Sequence, residues 1–201
     1  MRVPLLAVVF LAGCASGSPP ADWQSGSVAA MKAFQRAYLR GDTRVAEIEF
    51  SRLKNEISST GRLDLAARAE LVRCAVRAAS LEFDDCPGFE ALRKDAGAEE
   101  LAYAEYLAGR SQRAASDDPL SRLVFAGMQF NSGKATPETI NAAIDIASAQ
   151  GWRRPLLAWL GVQEKRAEAI GDKDAAMHIQ RRIKLVVESG QLEVTGAGSS
   201  K

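Results

Sequence analysis

The 201-residue chain holds one histidine and three cysteines, and its 26 Lys and Arg side chains are nearly balanced by 25 Asp and Glu. Such a small supply of imidazole and thiol is poor material for a zinc centre, so no metal and no cofactor is expected. A net charge of +1 leaves no basic surplus to neutralise phosphates, which argues against a nucleic-acid partner, and no acidic surplus to attract a cationic one. Proline is sparse, at seven residues, and aromatics make up 6% of the chain, a balance that disfavours a β-sandwich or barrel. No stretch alternates apolar and polar residues as a half-buried strand would. Also missing are a Gly-x-Ser-x-Gly elbow, a phosphate-cradling glycine loop and a calcium loop, so the lone His178 has no local signature of a nucleophile triad. What is present is 47% hydrophobic and 25% charged and rich in alanine and leucine, which fits one helical domain with a sizeable core.

The amino terminus bears on location. One positive charge at Arg2 precedes the apolar run Val3 to Leu11, which closes on Leu11-Ala12-Gly13-Cys14. About 12 residues of helix cover about 18 Å, short of the roughly 30 Å hydrocarbon core, so the run reads as a targeting segment and not as a membrane span. The four closing residues resemble the lipobox of bacterial lipoproteins. The resemblance implies cleavage between Gly13 and Cys14, a diacylglycerol on the Cys14 sulfur and a fatty acyl group such as palmitate on its new amino terminus. Residues 1–13 would then be a signal peptide and residues 14–26 a lipidated tether, with the small and helix-breaking Ala15 to Pro20 as its flexible part. Ala15 stands where an aspartate would retain a lipoprotein at the inner membrane. In a Gram-negative source the resemblance therefore implies the inner face of the outer membrane. Loss of Arg2 leaves basic and acidic side chains equal in number, so attachment would rest on acyl chains and not on a basic patch.

Residues 27–190 read as a series of helices, followed by a loose tail at 191–201. Val28, Met31, Phe34 and Tyr38 mark a helix from about Ser27 to Arg40. Gly41-Asp42 then stops it and offers Asp42 or Thr43 as the next N-cap. Further helices are expected to about Ile57, from about Arg62 to Leu81, from Ala98 to Ala108, from Trp152 to Ile170 and from Lys173 to Glu188. Asp118-Pro119 and Thr136-Pro137 each place a capping side chain before a proline at the first helical position, marking two more starts. The fold class is all-α, either a stack of antiparallel hairpins or an irregular bundle.

Internal similarity bears on that choice. Ala37, Gly41, Asp42 and Ala46 are matched by Ala167, Gly171, Asp172 and Ala176, giving Ala-x3-Gly-Asp-x3-Ala twice. Tyr38-Leu39-Arg40-Gly41 is echoed by Tyr106-Leu107-Ala108-Gly109. On these residues the chain resembles the tetratricopeptide repeat family over Ala33 to Leu53 and Gln163 to Ile183, although the early tryptophan and the Leu-Gly pair of a strong repeat are missing. The resemblance implies a right-handed stack that binds a protein partner in a concave groove and does no chemistry itself.

With Cys14 lipidated, Cys74 and Cys86 are left as a pair in an oxidising compartment, and a disulfide between them is expected. Three acidic pairs, Asp84-Asp85, Glu99-Glu100 and Asp117-Asp118, lie beside expected helix boundaries, where carboxylates serve as caps; no catalytic residue is assigned. Trp152, Leu156, Trp159, Leu160 and Gln163 share one helix face, with Arg153 and Arg154 near its start. Both tryptophans either pack into neighbouring helices or, with Arg153, line a groove for a partner. The expected function is a lipid-anchored scaffold or assembly factor for an envelope complex, held to the membrane at Cys14. The alternatives are a peptidoglycan hydrolase, which needs two carboxylates converging on one cleft, and a carrier with an enclosed apolar pocket.

Overall fold

The computed structural model describes residues 21–197, with side chains through residue 190; Gly13, Cys14 and residues 198–201 lie outside it. Nine α-helices, a 3-10 turn and no strand occur among the described residues, so the fold is all-α. The helices are α1 (Asp22–Arg40), α2 (Thr43–Ser58), α3 (Leu63–Ala79), α4 (Pro87–Glu90), α5 (Ala98–Leu107), α6 (Pro119–Asn131), α7 (Pro137–Ala149), α8 (Arg153–Ala169) and α9 (Lys173–Ala197). Two limits differ from expectation. α1 begins at Asp22, ahead of Ser27, because Asp22 places an acid in the first turn where the helix dipole favours it. α9 runs on through Gly190 to Ala197 and takes in most of the expected tail, with α8 alongside it. At Gly190 an added Cβ would be in ordinary van der Waals contact with Arg153 at the start of α8, 3.5 Å from its Nε.

The repeated motif folds the same way twice. Gly41 and Gly171 sit at φ of 89° and 75°, a left-handed conformation that costs glycine little, and each reverses the chain between two helices. The Asp42 carboxylate then accepts the Val45 amide at 3.1 Å, and that of Asp172 accepts the Ala175 amide at 3.0 Å. Ala37, Ala46, Ala167 and Ala176 are all buried at these crossings, where a larger side chain would hold the helices apart. The two proline-marked starts are capped as expected, by Asp118 on the Leu120 and Ser121 amides and by Thr136 on Thr139.

α3 is the central element and packs against α1, α2, α4, α5 and α6, while α8 packs against α7, α9 and α1. In a one-dimensional stack each unit touches only its neighbours in sequence. The contact between α1 and α8 is of another kind and closes the hairpins into an irregular bundle. Its seam is built by arginine. Arg154 Nε donates to the Tyr38 carbonyl at 2.8 Å and Nη2 to Thr43 Oγ1 at 2.6 Å, while Nη1 pairs with Glu82 at 3.2 Å and the guanidinium lies 4.3 Å from the Tyr38 ring centroid. Arg153 Nε donates to the Arg40 carbonyl at 2.9 Å. Two cations thus sit on carbonyls at the end of α1, where the dipole favours positive charge; the Tyr38 carbonyl also accepts the Gly41 amide at 3.0 Å.

Cys74 and Cys86 form a disulfide with a Cα separation of 5.9 Å, tying α3 to the start of α4. Replacing both with serine should lower the unfolding free energy by about 3 kcal/mol, read as an earlier midpoint in denaturant titration, because the crosslink restricts the unfolded chain.

All three tyrosines are shifted toward the neutral phenol. Burial is the largest cause for each, raising Tyr38 and Tyr103 above their ordinary value and Tyr106 to about 12. A folded pKa above the unfolded one gives stability that is complete below about pH 10 and lost as pH rises through the folded values. In alkaline titration, tyrosinate absorbance should therefore appear together with the loss of helical circular dichroism. Absorbance that rises while the helices persist would mean that the phenols are solvated.

Candidate functional site

The tryptophan face of α8 is not a groove. Trp159 is 0% exposed, its Nε1 donates to the Ala79 carbonyl at 3.1 Å, and its ring meets Phe130 edge-on at 5.8 Å between centroids. Trp152 is half-buried between the two main apolar clusters, and Arg153 is engaged with the end of α1. The partner-groove assignment of Trp152, Arg153 and Trp159 is corrected accordingly: Trp159 is enclosed against α3 and α6, Trp152 lies between the apolar clusters and Arg153 sits on the end of α1. Packing, the other alternative for these tryptophans, is what the structure contains.

An open groove runs along α1 from Trp23 to Gln35. Its volume is about 770 Å³. Trp23, Val28 and Met31 form one wall, Leu65 of α3 the other, and Leu53 and Ile57 of α2 the floor. Val28 is 53% exposed although its turn of helix carries Ala30 and Phe34 into the core on the opposite side. α1 is therefore apolar on two faces, and only one of them is covered by α2, α3 and α8. The polar lining comes from Gln24, Ser25, Ser27, Lys32 and Gln35 on α1 and from Arg68 on α3.

Arg68 separates this groove from a smaller hollow of about 250 Å³ between α3 and α5. Its guanidinium donates to Glu100 through Nε at 2.7 Å and to Glu99 through Nη2 at 2.7 Å. The Glu100 hydrogen bond is the largest cause of a rise in the Arg68 pKa, so the arginine stays charged. Glu100 is 5% exposed, and a buried carboxylate of this kind needs such a partner.

One member of each of the other two acidic pairs is also engaged in holding the fold. Asp84 accepts the Cys86 amide at 3.0 Å and pairs with Arg77. Burial pushes Asp118 up, but hydrogen bonds from the Ser116 and Ser121 hydroxyls and from the capped amides outweigh it and hold the carboxyl below its ordinary value. A cavity of about 340 Å³ beside the disulfide has Phe83, Phe89 and Met128 in its walls, and at its edge Glu90 is bound to Arg93. His178 is exposed on α9. Among the described residues no group of three or more His, Cys, Asp or Glu is placed to hold a metal ion, and no helix is long and apolar enough to cross a membrane.

Sequence reasoning missed the groove and the Arg154 seam. A signal for the first was present in α1: Val28 and Met31 at i and i+3 run beside the core stripe of Ala30, Phe34 and Ala37, giving an apolar surface wider than one neighbour covers. Nothing local marks Arg154, whose partners are remote in the chain. No family model matches this chain, and no curated protein or solved structure matches it either.

Proposed function

We propose that the protein is a lipid-anchored component of a bacterial cell envelope, held through Cys14 at the inner face of the outer membrane, that serves an envelope complex as a non-catalytic binding scaffold. The observation that supports this reading is the open apolar groove at the start of α1, the end of the body that the tether enters. A largely apolar surface with no cluster of reactive groups suits recognition. Of the carboxylates a hydrolase would need, Glu99, Glu100 and Asp84 are ion-paired and Asp118 caps a helix, and no observation favours that alternative.

Replacing Cys14 with serine tests the anchor. Metabolic incorporation of labelled palmitate should disappear, together with processing to the mature length. A variant that still carries label would place the acylation elsewhere and sink the lipobox reading. The scaffold role is tested by a photo-crosslinking side chain at Ile48, an apolar residue of α2 that is 56% exposed and lies outside the groove, which should give a discrete adduct with an envelope component in intact cells and none from the exposed position His178.

A further inference from the structure

We infer that the groove along α1 is the seat of one acyl chain of the protein's own Cys14 anchor, so that lipidation closes it to other apolar ligands. This rests on the lipidation at Cys14 proposed above and gives the groove to the anchor, which leaves partner binding to the surface outside it. Three observations converge on that occupant.

The first is reach. α1 starts at Asp22, and residues 15–21 can extend at most about 23 Å, which sets the anchor within one short tether of Trp23 at the mouth of the groove. The second is length. From Trp23 to Gln35 the α1 wall runs about 18 Å, comparable with the roughly 15 Å that an acyl chain spans in one leaflet of a 30 Å hydrocarbon core. The third is chemistry. Val28, Met31, Leu53, Ile57 and Leu65 offer apolar contact with no hydrogen-bonding group on the floor, and no buried side-chain atom without a partner lines the groove. An extended peptide laid on that floor would turn amides and carbonyls toward Leu53, Ile57 and Leu65, which cannot receive them, whereas an acyl chain brings none.

The lipobox resemblance implies three acyl chains, two on the diacylglycerol and one on the amino group. Two chains suffice for durable membrane attachment, so seating the third in the groove leaves the anchor in place. It also draws the first three helices toward the membrane surface.

The experiment compares the lipidated protein, purified in detergent, with the oxidised mature-length chain of residues 14–201 carrying Cys14→Ser. Each is titrated with dibromostearate, whose bromines quench tryptophan on contact. Trp159 is sealed in the core, and a Trp152→Phe background removes the half-buried second indole, so saturable quenching reports on Trp23. The unlipidated chain should bind one dibromostearate per molecule, and the lipidated protein roughly tenfold or more weakly, because its groove is filled. Val28→Glu, at an exposed position, should weaken binding to the unlipidated chain by a similar factor without unfolding it, and Met31→Glu is a second probe of the same wall. No saturable quenching of the unlipidated chain, or none of its affinity lost in either variant that remains folded, overturns the acyl site. Equal binding by both forms would assign the groove to a free or membrane lipid and overturn the role of the protein's own anchor. Palmitate labelling is scored separately, so failure of the lipobox reading is told apart from failure of the groove.

Discussion

Trp159→Ala is expected to lower the unfolding free energy by about 3–5 kcal/mol, a large share of the 5–15 kcal/mol that holds a typical domain together. The indole is fully enclosed, joining α8 to α3 through Ala79 and to α6 through Phe130. Truncation removes the apolar contact and leaves a cavity that surrounding helices fill only in part. It also strands the Ala79 carbonyl, a buried acceptor whose desolvation then goes uncompensated at about 1–3 kcal/mol. For a chain of this size the fall in Tm should be about 10 °C or more. Trp159→Phe separates the two contributions, since it restores most of the ring but not the donor. Its loss should be smaller, and what remains should track the orphaned carbonyl. Unchanged thermal stability in Trp159→Ala would contradict the core placement and return this residue to the candidate surface.

The same tryptophan explains what was and was not legible in the sequence. Its spacing with Trp152, Leu156 and Leu160 specifies one apolar helix face, but periodicity is silent on whether that face meets another helix or a ligand. Features whose physics is local came through: the Gly-Asp turns at 41 and 171, the caps at Asp118 and Thr136 and the Cys74–Cys86 bridge depend on residues close in sequence. The acidic pairs divide along the same line. Asp118 caps its own helix, whereas Glu99 and Glu100 are held by Arg68 from another one. The groove was not legible because Val28 and Met31 look like extensions of the Phe34 stripe. Only the tertiary arrangement decides that α2, α3 and α8 cover one side of α1 and leave the other open. Arg154 is the extreme case, since a polar residue at the start of a helix looks like surface until the end of α1 is placed against it.

Placement also decides the sign of the second large effect. Gly127 lies in the interior of α6, where helix propensity alone would favour alanine by about 1 kcal/mol. A Cβ at that position, however, would stand 2.2 Å from the Ala78 carbonyl oxygen and 2.9 Å from its carbon. Both obstacles are backbone, so no rotamer change relieves them; α6 must retreat from α3 and carry Leu123 and Val124 out of register in the core. Gly127→Ala should therefore destabilise by about 1–3 kcal/mol, and Gly127→Val by more. The strain falls one residue from the Ala79 carbonyl that receives the Trp159 indole, so Gly127→Ala and Trp159→Ala should combine non-additively in a double-mutant cycle. Gly161 provides the control. It lies within α8 with nothing inside 4 Å of an added Cβ, and Gly161→Ala should stabilise by about 0.5–1 kcal/mol. One chemical change thus takes opposite signs on two helices. Denaturant midpoints that rise for both variants would mean that α6 and α3 do not meet at the close approach on which the central packing of this bundle depends.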